Sequence, residues 1–389
     1  MTTNVADWRR RASRRLPQPI LQYLEGGADD ERTMRRNEEA FADYELWPRP
    51  LVDIGQIVTR TRLLGCELSL PVMLSATGMT RLFHHERELG VARAAAAAGL
   101  LYSLSTLATT SLEDVAAIGG PRLFQLYIFR DRELTRELVR RCVAAGYHAL
   151  AVTVDTPLAG NRERDRRTGM TIPPRLGFRS WLSFVAHPSW SLRYLANPHF
   201  VLQNVVGRVD ALRAGATSII EYVNGQFDRT VTWSDLEWLR GEWQGPLAVK
   251  GLLHPDDVRR AQALGADAVI LSNHGGRQLD TAPAAIDCVA AARAAVGESF
   301  ELIVEGGIRR GTDVIKALAL GATAVSIGRP YLYGLAAGGQ AGVAAVLGLF
   351  REEITRDLAL LGRPASSSVN RDCVRHRSSP ASRGSIYAK

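Results

Sequence analysis

The stretch LSNHGGRQLD, residues 271–280, sets an imidazole at His274 and a permanent cation at Arg277 on either side of two glycines. A histidine changes charge near neutral pH, so it can take or give a proton. An arginine presents a planar fork to a carboxylate or phosphate. On a loop with little side-chain bulk, the pair suits a site that binds an anion and moves a proton together. An isolated HGGR reads more simply as a surface loop with an incidental histidine, so its meaning depends on where the chain places it.

Short apolar runs recur along the chain, each followed by turn residues and most by an alanine-rich helical stretch. They are VMLSAT (72–77), LYSLST (101–106), FQLYIF (124–129), ALAVTVD (149–155), LAVKG (247–251), AVILSN (268–273), ELIVEGG (301–307) and AVSIGR (324–329). Most are almost continuously apolar, as parallel strands buried on both faces must be. The helices leading into strands end in AAAAAGL, VAAGYHAL, ALGADAV and ALGATAV, where a glycine can take the left-handed C-cap. Eight such units predict an α/β fold of the TIM (β/α)8 barrel type, with its site at the C-terminal strand ends. Polar residues collect at all eight ends: Ser75 and Thr77, Ser105, Gln125 and Tyr127, Thr153 and Asp155, Lys250, Ser272 and His274, Glu305, then Gly328 and Arg329. That pattern moves His274 and Arg277 from an incidental loop to a catalytic rim.

Residues 1–370 read as one domain. Residues 1–70 precede the first strand, and VADWRRRASRRLPQPILQYLEGGADDERTMRRN (5–37) within them reads as a helical cap with Tyr23 ahead of a GG turn. Residues 160–230 form an insertion after the fourth strand, too long for an ordinary loop and suited to a lid or a docking element. The last stretch, 371–389, is basic and serine-rich and is expected to be disordered.

The composition, 46% hydrophobic and 23% charged over 389 residues, is that of a globular chain with ample core. No run of eighteen apolar residues occurs, so no bilayer-spanning helix is expected. The basic N-terminus lacks the apolar centre of a secretion signal. Four scattered cysteines with no CxxC pair fit a reducing compartment and no structural metal. The net charge of +8 admits nucleic acid, anionic lipid or anionic substrate. Between Asn161 and Gly215, nine arginines stand against Glu163, Asp165 and Asp210, a net of +6. The chemistry-bearing residues at the strand ends argue for a small-molecule enzyme and against a nucleic-acid module.

The stretches VEGGIRRGTDVIKAL and SIGRPYLYG are glycine-rich turns entering helices. Their backbone N–H groups, at Gly306, Gly307 and Gly328, with Arg309 and Arg329 nearby, read as a phosphate cradle. No GxGxxG stands at a strand–helix junction, which disfavours a nicotinamide dinucleotide. Flavin mononucleotide (FMN) suits better, having one phosphate and a ring edge that hydrogen-bonds to Ser, Gln and Thr. Lys250 would then place a positive charge beside the ring's N1–C2=O edge; the alternative is a Schiff-base lysine.

The motifs LEGGADDE, FQLYIFRDR, TVDTP followed by NRERD, VKG, SNHGGRQLD and GGIRRGTDVIKALALGA carry a resemblance. From about Val5 to about Leu361 the chain resembles the FMN-dependent L-2-hydroxy acid oxidase and dehydrogenase family, of the glycolate oxidase type. Within it, the chain is most similar to bacterial membrane-associated L-lactate and mandelate dehydrogenases. It shares AHPSW and FDRTVTWSDLEWLRGEWQGPLAVKG with the lactate enzymes. The resemblance implies that His274 is the base, that Asp155 supports its imidazolium, and that Arg277 and Arg162 clamp the substrate carboxylate. Tyr23 would add a hydrogen bond to that carboxylate and Tyr127 would contact the hydroxyl. Thr77, Gly78, Ser105, Gln125, Thr153, Lys250, Ser272 and Glu305 would surround the flavin and ribityl chain. Gly306, Gly307, Arg309, Gly328 and Arg329 would take the phosphate.

Three positions depart from glycolate oxidase. Gly78 replaces alanine beside the flavin, which leans towards a dehydrogenase. Leu107 replaces tryptophan and leaves room for a side chain larger than hydrogen. Glu305 replaces aspartate, and its extra methylene is expected to crowd the ribityl hydroxyls or shift the phosphate loop. The insertion interleaves Trp181, Phe184, Trp190 and Tyr194 with arginines, which suits either an anionic membrane surface or a lid packed on the barrel. The expected partners are a lactate- or mandelate-type hydroxy acid and a quinone or other external acceptor, with an oxidase reducing oxygen to peroxide as the alternative. Peripheral attachment to the cytoplasmic side of the membrane, or a cytoplasmic location, and a homotetramer or larger assembly are expected with them.

Overall fold

The computed structural model describes residues 2–170, 175–196, 200–205 and 225–378. The chain begins with helices Val5–Ser13, Gln18–Glu25 and Arg32–Glu39, followed by short strands β1 (Tyr44–Leu46), β2 (Thr61–Leu63) and β3 (Cys66–Leu68). Eight parallel strands then close into a barrel: β4 (Val72–Leu74), β5 (Tyr102–Ser105), β6 (Arg122–Leu126), β7 (Ala149–Thr153), β8 (Leu247–Leu252), β9 (Ala268–Ser272), β10 (Glu301–Glu305) and β11 (Ala324–Ile327), with β11 returning to β4. All eight runs legible in the sequence are barrel strands. The helices between them end as their glycines allow, with Gly99, Gly146, Gly265 and Gly321 all at positive φ.

The barrel interior is filled, not open. Met73, Leu101, Leu123, Ile270 and Ile303 meet the small side chains of Ala149, Ala151, Ala248, Ala268 and Ala324. Large and small side chains interleave around the barrel, as in the packed interior of this fold. The same cluster includes Leu63, Leu64, Cys66 and Leu68, because the β2–β3 hairpin plugs the bottom of the barrel. The Leu64 N–H donates to Glu301 Oε2 at 2.7 Å, at the N-terminal end of β10.

The helical cap expected over 5–37 is formed by the first three helices. The helices stop at Glu39, and TRLLGCEL turns tightly at Leu64 and Gly65, at φ 48° and 78°. Two consecutive positive-φ residues match the right-handed twist of a hairpin.

The tail expectation is corrected. Residues 371–373 form a 3₁₀ turn and β12 (Val374–His376) pairs antiparallel with β1, placing His376 opposite Tyr44 and Val374 opposite Leu46. Cys373 is fully buried, and Arg375 lies 3.4 Å from the centre of the Trp47 ring. The apolar residues of DCVRH therefore find a partner 330 residues earlier in the chain, which local composition does not reveal. Residues 379–389 lie outside those described, as do 171–174, 197–199 and 206–224 of the insertion.

The final helix, Arg329–Leu361, is 33 residues long and apolar enough to cross a bilayer by composition. It is broken at Gly338–Gly339 and packs against helices Val5–Ser13 and Arg87–Ala98 as the last layer of the barrel.

Candidate active site

β9 ends at Ser272, and the next residues double back with His274, Gly275 and Gly276 at φ 60°, 66° and 75°. Ser272 Oγ accepts the His274 N–H at 3.0 Å and fixes the first bend. A Cβ on Gly276 would lie 2.5 Å from the Met34 N, so only glycine lets helix Arg32–Glu39 dock here. The docking is polar. Gly276 O accepts the Ala28 N–H at 2.8 Å, and Asn37 and Asn273 exchange side-chain amide bonds at 2.8 and 2.7 Å. Asp280 accepts the Thr33 N–H at 2.7 Å and the Arg32 N–H at 3.2 Å, capping that helix from across the site. The two glycines of HGGR thus join the cap to the barrel rim.

The His274 Nδ1 lies 2.9 Å from Asp155 Oδ1. With the carboxylate as acceptor, Nδ1 carries the proton and Nε2 is the nitrogen left for a substrate. Gln278 holds the two loops in register. Its Nε2 donates to Asp155 O and Leu158 O at 3.0 and 2.8 Å, and its Oε1 accepts from the Gly160 N–H at 3.0 Å.

Arg277 and Arg329 both lie partly buried beneath this loop. Arg277 donates to Tyr23 O and Gly26 O at 2.8 and 2.9 Å and stacks 5.1 Å from the Tyr23 ring. Arg329 donates to Leu24 O, Gly275 O and Gly26 O at 3.2, 2.9 and 3.1 Å. Every one of these acceptors is a carbonyl. Among the described residues neither guanidinium has a carboxylate oxygen within 4.0 Å. Burial pushes both down, Arg277 to about 9 with Arg162 adding its repulsion. The Arg162 Nε is itself buried without a hydrogen-bond partner, and Asp165, 3.9 Å away, is pushed up by its own burial. Buried cations without counterions are costly. The arrangement therefore asks for an anion at two places, one by Arg162, Arg277 and Tyr23, the other by Arg329.

Both places open on one cavity of about 870 Å³. Lys250 and Glu305 form an ion pair at its floor. Lys250 also donates to Ser272 Oγ at 3.0 Å, and Glu305 accepts from Ser75 and Ser326 at 2.7 and 2.9 Å. Burial would raise the Glu305 carboxyl, but the Lys250 charge and these hydrogen bonds prevail and hold it at about 2. The Glu305 carboxylate is thus held by Lys250 and the serines.

Ser105, Gln125, Tyr127, Thr77 and Gly78 line the wall. Thr153 and Ser272 stand one layer back, Thr153 accepting from Gln125 Nε2 at 2.8 Å. Tyr127 is buried, which pushes its phenol up, and the nearby Asp155 adds to that. Gly78 faces Leu107, whose Cβ would lie 3.0 Å from an added Cβ, so the small residue and the leucine occupy one site jointly.

Part of the phosphate turn is satisfied within the protein. The N–H groups of Arg309 and Arg310 donate to Asp313 Oδ2, both at 2.9 Å, and the Gly311 N–H donates to Glu353 Oε2 at 2.7 Å. Helix Gly311–Ala319 is therefore capped by its own protein, and Arg309 pairs with Glu38 at 2.6 Å. Gly306, Gly307, Arg309, Gly328 and Arg329 all line the cavity wall. An elongated ligand with one phosphate and a hydrogen-bonding ring fits this donor set, and FMN has both.

The insertion serves two faces. Met170, Tyr194, Phe200 and Leu202 line the cavity mouth together with Phe227 from within the same span. Trp190 donates to Leu82 O at 2.9 Å, Phe184 packs 5.4 Å from it, and Arg81 lies over Tyr194. Trp181 instead points out, 61% exposed, with Phe178, Leu182, Val185, Leu192 and Leu195. Of the four aromatics expected to act alike, three pack inward and one faces solvent.

Sequence reading missed Asn37, Asn273, Asp280, Gln278 and Ser326. Asn273, Gln278 and Asp280 stand inside the quoted motif and were readable as its struts; Asn37 and Ser326 carry no local signal. Outside the cavity, His84, His85 and Glu86 bring three potential metal-ligand atoms within 4.8 Å of one another. Burial lowers both imidazoles, with His85 adding to it for His84 and Arg193 for His85.

Comparison with known proteins agrees with this geometry. The profile of the family described as FMN-dependent dehydrogenase matches residues 12–376. An L-lactate oxidase of Nostoc sp. is 45% identical, over 92% of this chain and 94% of its own. Glycolate oxidase 1 of Zea mays is 40% identical, over 95% of this chain and 94% of its own. A crystal structure of a monotopic membrane protein, (S)-mandelate dehydrogenase, superposes with a TM-score of 0.92 at 38% identity, covering 96% of this chain and 99% of that one.

Proposed function

The chain belongs to the FMN-dependent dehydrogenase family, and from that premise we propose that it oxidises an L-2-hydroxy acid of the lactate or mandelate type to the 2-oxo acid. The observation that carries this reading is the convergence of His274, held on Asp155, with Arg162 and Arg277 at the mouth of one cavity. Arg277 and Arg162 bind the substrate carboxylate, and Tyr23 closes that subsite. Tyr127 contacts the substrate hydroxyl. His274 Nε2 takes the proton released as the carbinol is oxidised, and the Asp155 carboxylate stabilises the imidazolium that results.

FMN, when bound, supplies the two-electron acceptor. Ser105, Gln125, Thr77 and Lys250 would hold its ring and ribityl chain, and Gly307, Gly328 and Arg329 its phosphate. Leu107, Met170, Phe200, Leu202 and Phe227 make an apolar wall that supports a substrate side chain larger than hydrogen.

Electrons leave to a membrane quinone. The outward face of helices Phe178–Ala186 and Pro188–Leu195 supports peripheral docking on a bilayer at the cavity mouth. The 45% identity with an L-lactate oxidase favours oxygen as the second candidate acceptor. The test is anaerobic bleaching of the purified yellow protein by a panel of L-2-hydroxy acids, followed by admission of oxygen or a soluble quinone. Bleaching by lactate or mandelate within seconds supports the reading, and a protein that no hydroxy acid bleaches overturns it. Rapid return of colour with oxygen assigns the oxidase reading instead.

A further inference from the structure

We propose that Glu305 sets the electron affinity of the bound cofactor by neutralising Lys250, so that the cavity floor presents a balanced ion pair and not a free cation. The inference rests on the FMN reading above. Lys250 is 4% exposed and its ammonium has two side-chain partners, Glu305 Oε1 and Ser272 Oγ. Glu305 is anchored on both oxygens: Ser272 donates to Oε1 at 3.0 Å, and Ser75 and Ser326 lie at 2.7 and 2.9 Å from Oε2. The strand register explains the anchoring, since Glu305 pairs with Ser272 on β9 and with Ser326 on β11. Hydroxyls on the two neighbouring strands, joined by Ser75 just past β4, thus hold the carboxylate where Lys250 reaches it. Both charged residues line the cavity.

A lone buried ammonium beside a flavin would favour its anionic reduced form. In a site of low dielectric the field of that ammonium acts at full strength unless an opposite charge lies within a few ångströms. Here it does, and the pair contributes a dipole in place of a net positive charge. Glu305 therefore lowers the midpoint potential, which eases electron transfer out of the cofactor at the expense of electron transfer in. Lys250 supplies the cation, and Glu305 decides how much of it the cofactor feels.

The test uses the FMN-loaded full chain and two readouts independent of turnover: the midpoint potential by equilibration with reference dyes, and the dissociation constant for sulfite, an anion that adds to electron-poor flavins. Glu305→Gln keeps the shape and the acceptor for Ser75 and Ser326 but removes the charge. It should raise the potential and tighten sulfite about tenfold, equivalent to about 30 mV for a two-electron couple. The double variant Glu305→Gln/Lys250→Met leaves no charge at the floor and should reverse that rise. Should Glu305→Gln not fold, Glu305→Asp, which withdraws the charge from Lys250 by one methylene, carries the test with the same sign. A yellow protein whose potential and sulfite affinity are unchanged or fall overturns this inference alone. A protein that stays colourless in excess FMN overturns the cofactor reading on which it rests, and this inference with it.

Discussion

Replacing Asp155 by asparagine removes one charge and almost no volume, which isolates what the carboxylate does for His274. The Nδ1–Oδ1 contact is 2.9 Å, and both side chains are largely buried. Opposite charges about 4 Å apart at an effective dielectric near 20 interact by roughly 4 kcal/mol, and partial exposure of the imidazole trims this to about 3. That stabilisation exists only once His274 has taken the proton, so its loss raises the barrier and leaves the substrate-bound ground state alone. At about 1.4 kcal/mol per tenfold, the rate of flavin bleaching should fall about 10²-fold. The assay is anaerobic stopped-flow bleaching across substrate concentrations. The substrate Kd should barely move, because the carboxylate subsite is Arg162, Arg277 and Tyr23. A limiting rate within threefold of the parent, or a loss confined to Kd, would refute the assignment of Asp155 as the imidazolium's partner.

Arg277→Lys should weaken substrate binding by about tenfold or more while the yellow colour is kept, because an ammonium cannot bridge Tyr23 O and Gly26 O and still fork onto a carboxylate; titration of the flavin spectrum with substrate reads this directly. Gly276→Ala forces a Cβ onto the Met34 N at positive φ, at a cost of about 1–3 kcal/mol, and should lower Tm and loosen the cap as seen by faster proteolysis within residues 28–37. His84 is held near 4, below its usual 6.5, by burial and the neighbouring His85, and its Nδ1 accepts the Glu86 N–H. The unfolded chain therefore takes up this proton first as pH falls, so stability should decline from about pH 6.5 to about 4; a Tm profile of His84→Asn should be flatter across that window. The double variant Trp181→Ser/Val185→Ser should be released from washed membranes at low salt, since both side chains are well exposed on the outer face of helix Phe178–Ala186; retention by the variant would dispose of docking through this face.

Much of the site was legible because a barrel repeats one physical rule. Buried parallel strands are apolar throughout, their C-terminal ends face a shared mouth, and any polar residue there has a reason to be polar. Ser105, Gln125, Lys250, His274 and Glu305 were readable on that ground alone. The phosphate turn was only half legible. VEGGIRRGTD shows glycines and a helix start, but Asp313 and Glu353 cap that helix, one from four residues along and the other from forty-two away. Nothing local distinguishes an N-terminus left for a ligand from one already satisfied.

The primary sequence by itself determined the eight βα units, the rim chemistry and the reason for glycine at the helix ends, because all three are set by neighbours within a few residues. The tertiary structure alone decided what those residues meet. It paired β12 with β1, plugged the barrel with a hairpin, seated Asn37 on Asn273, and gave Lys250 its counter-charge in Glu305. Each of these is a contact between distant segments whose geometry follows from barrel closure, and closure is a property of the whole chain.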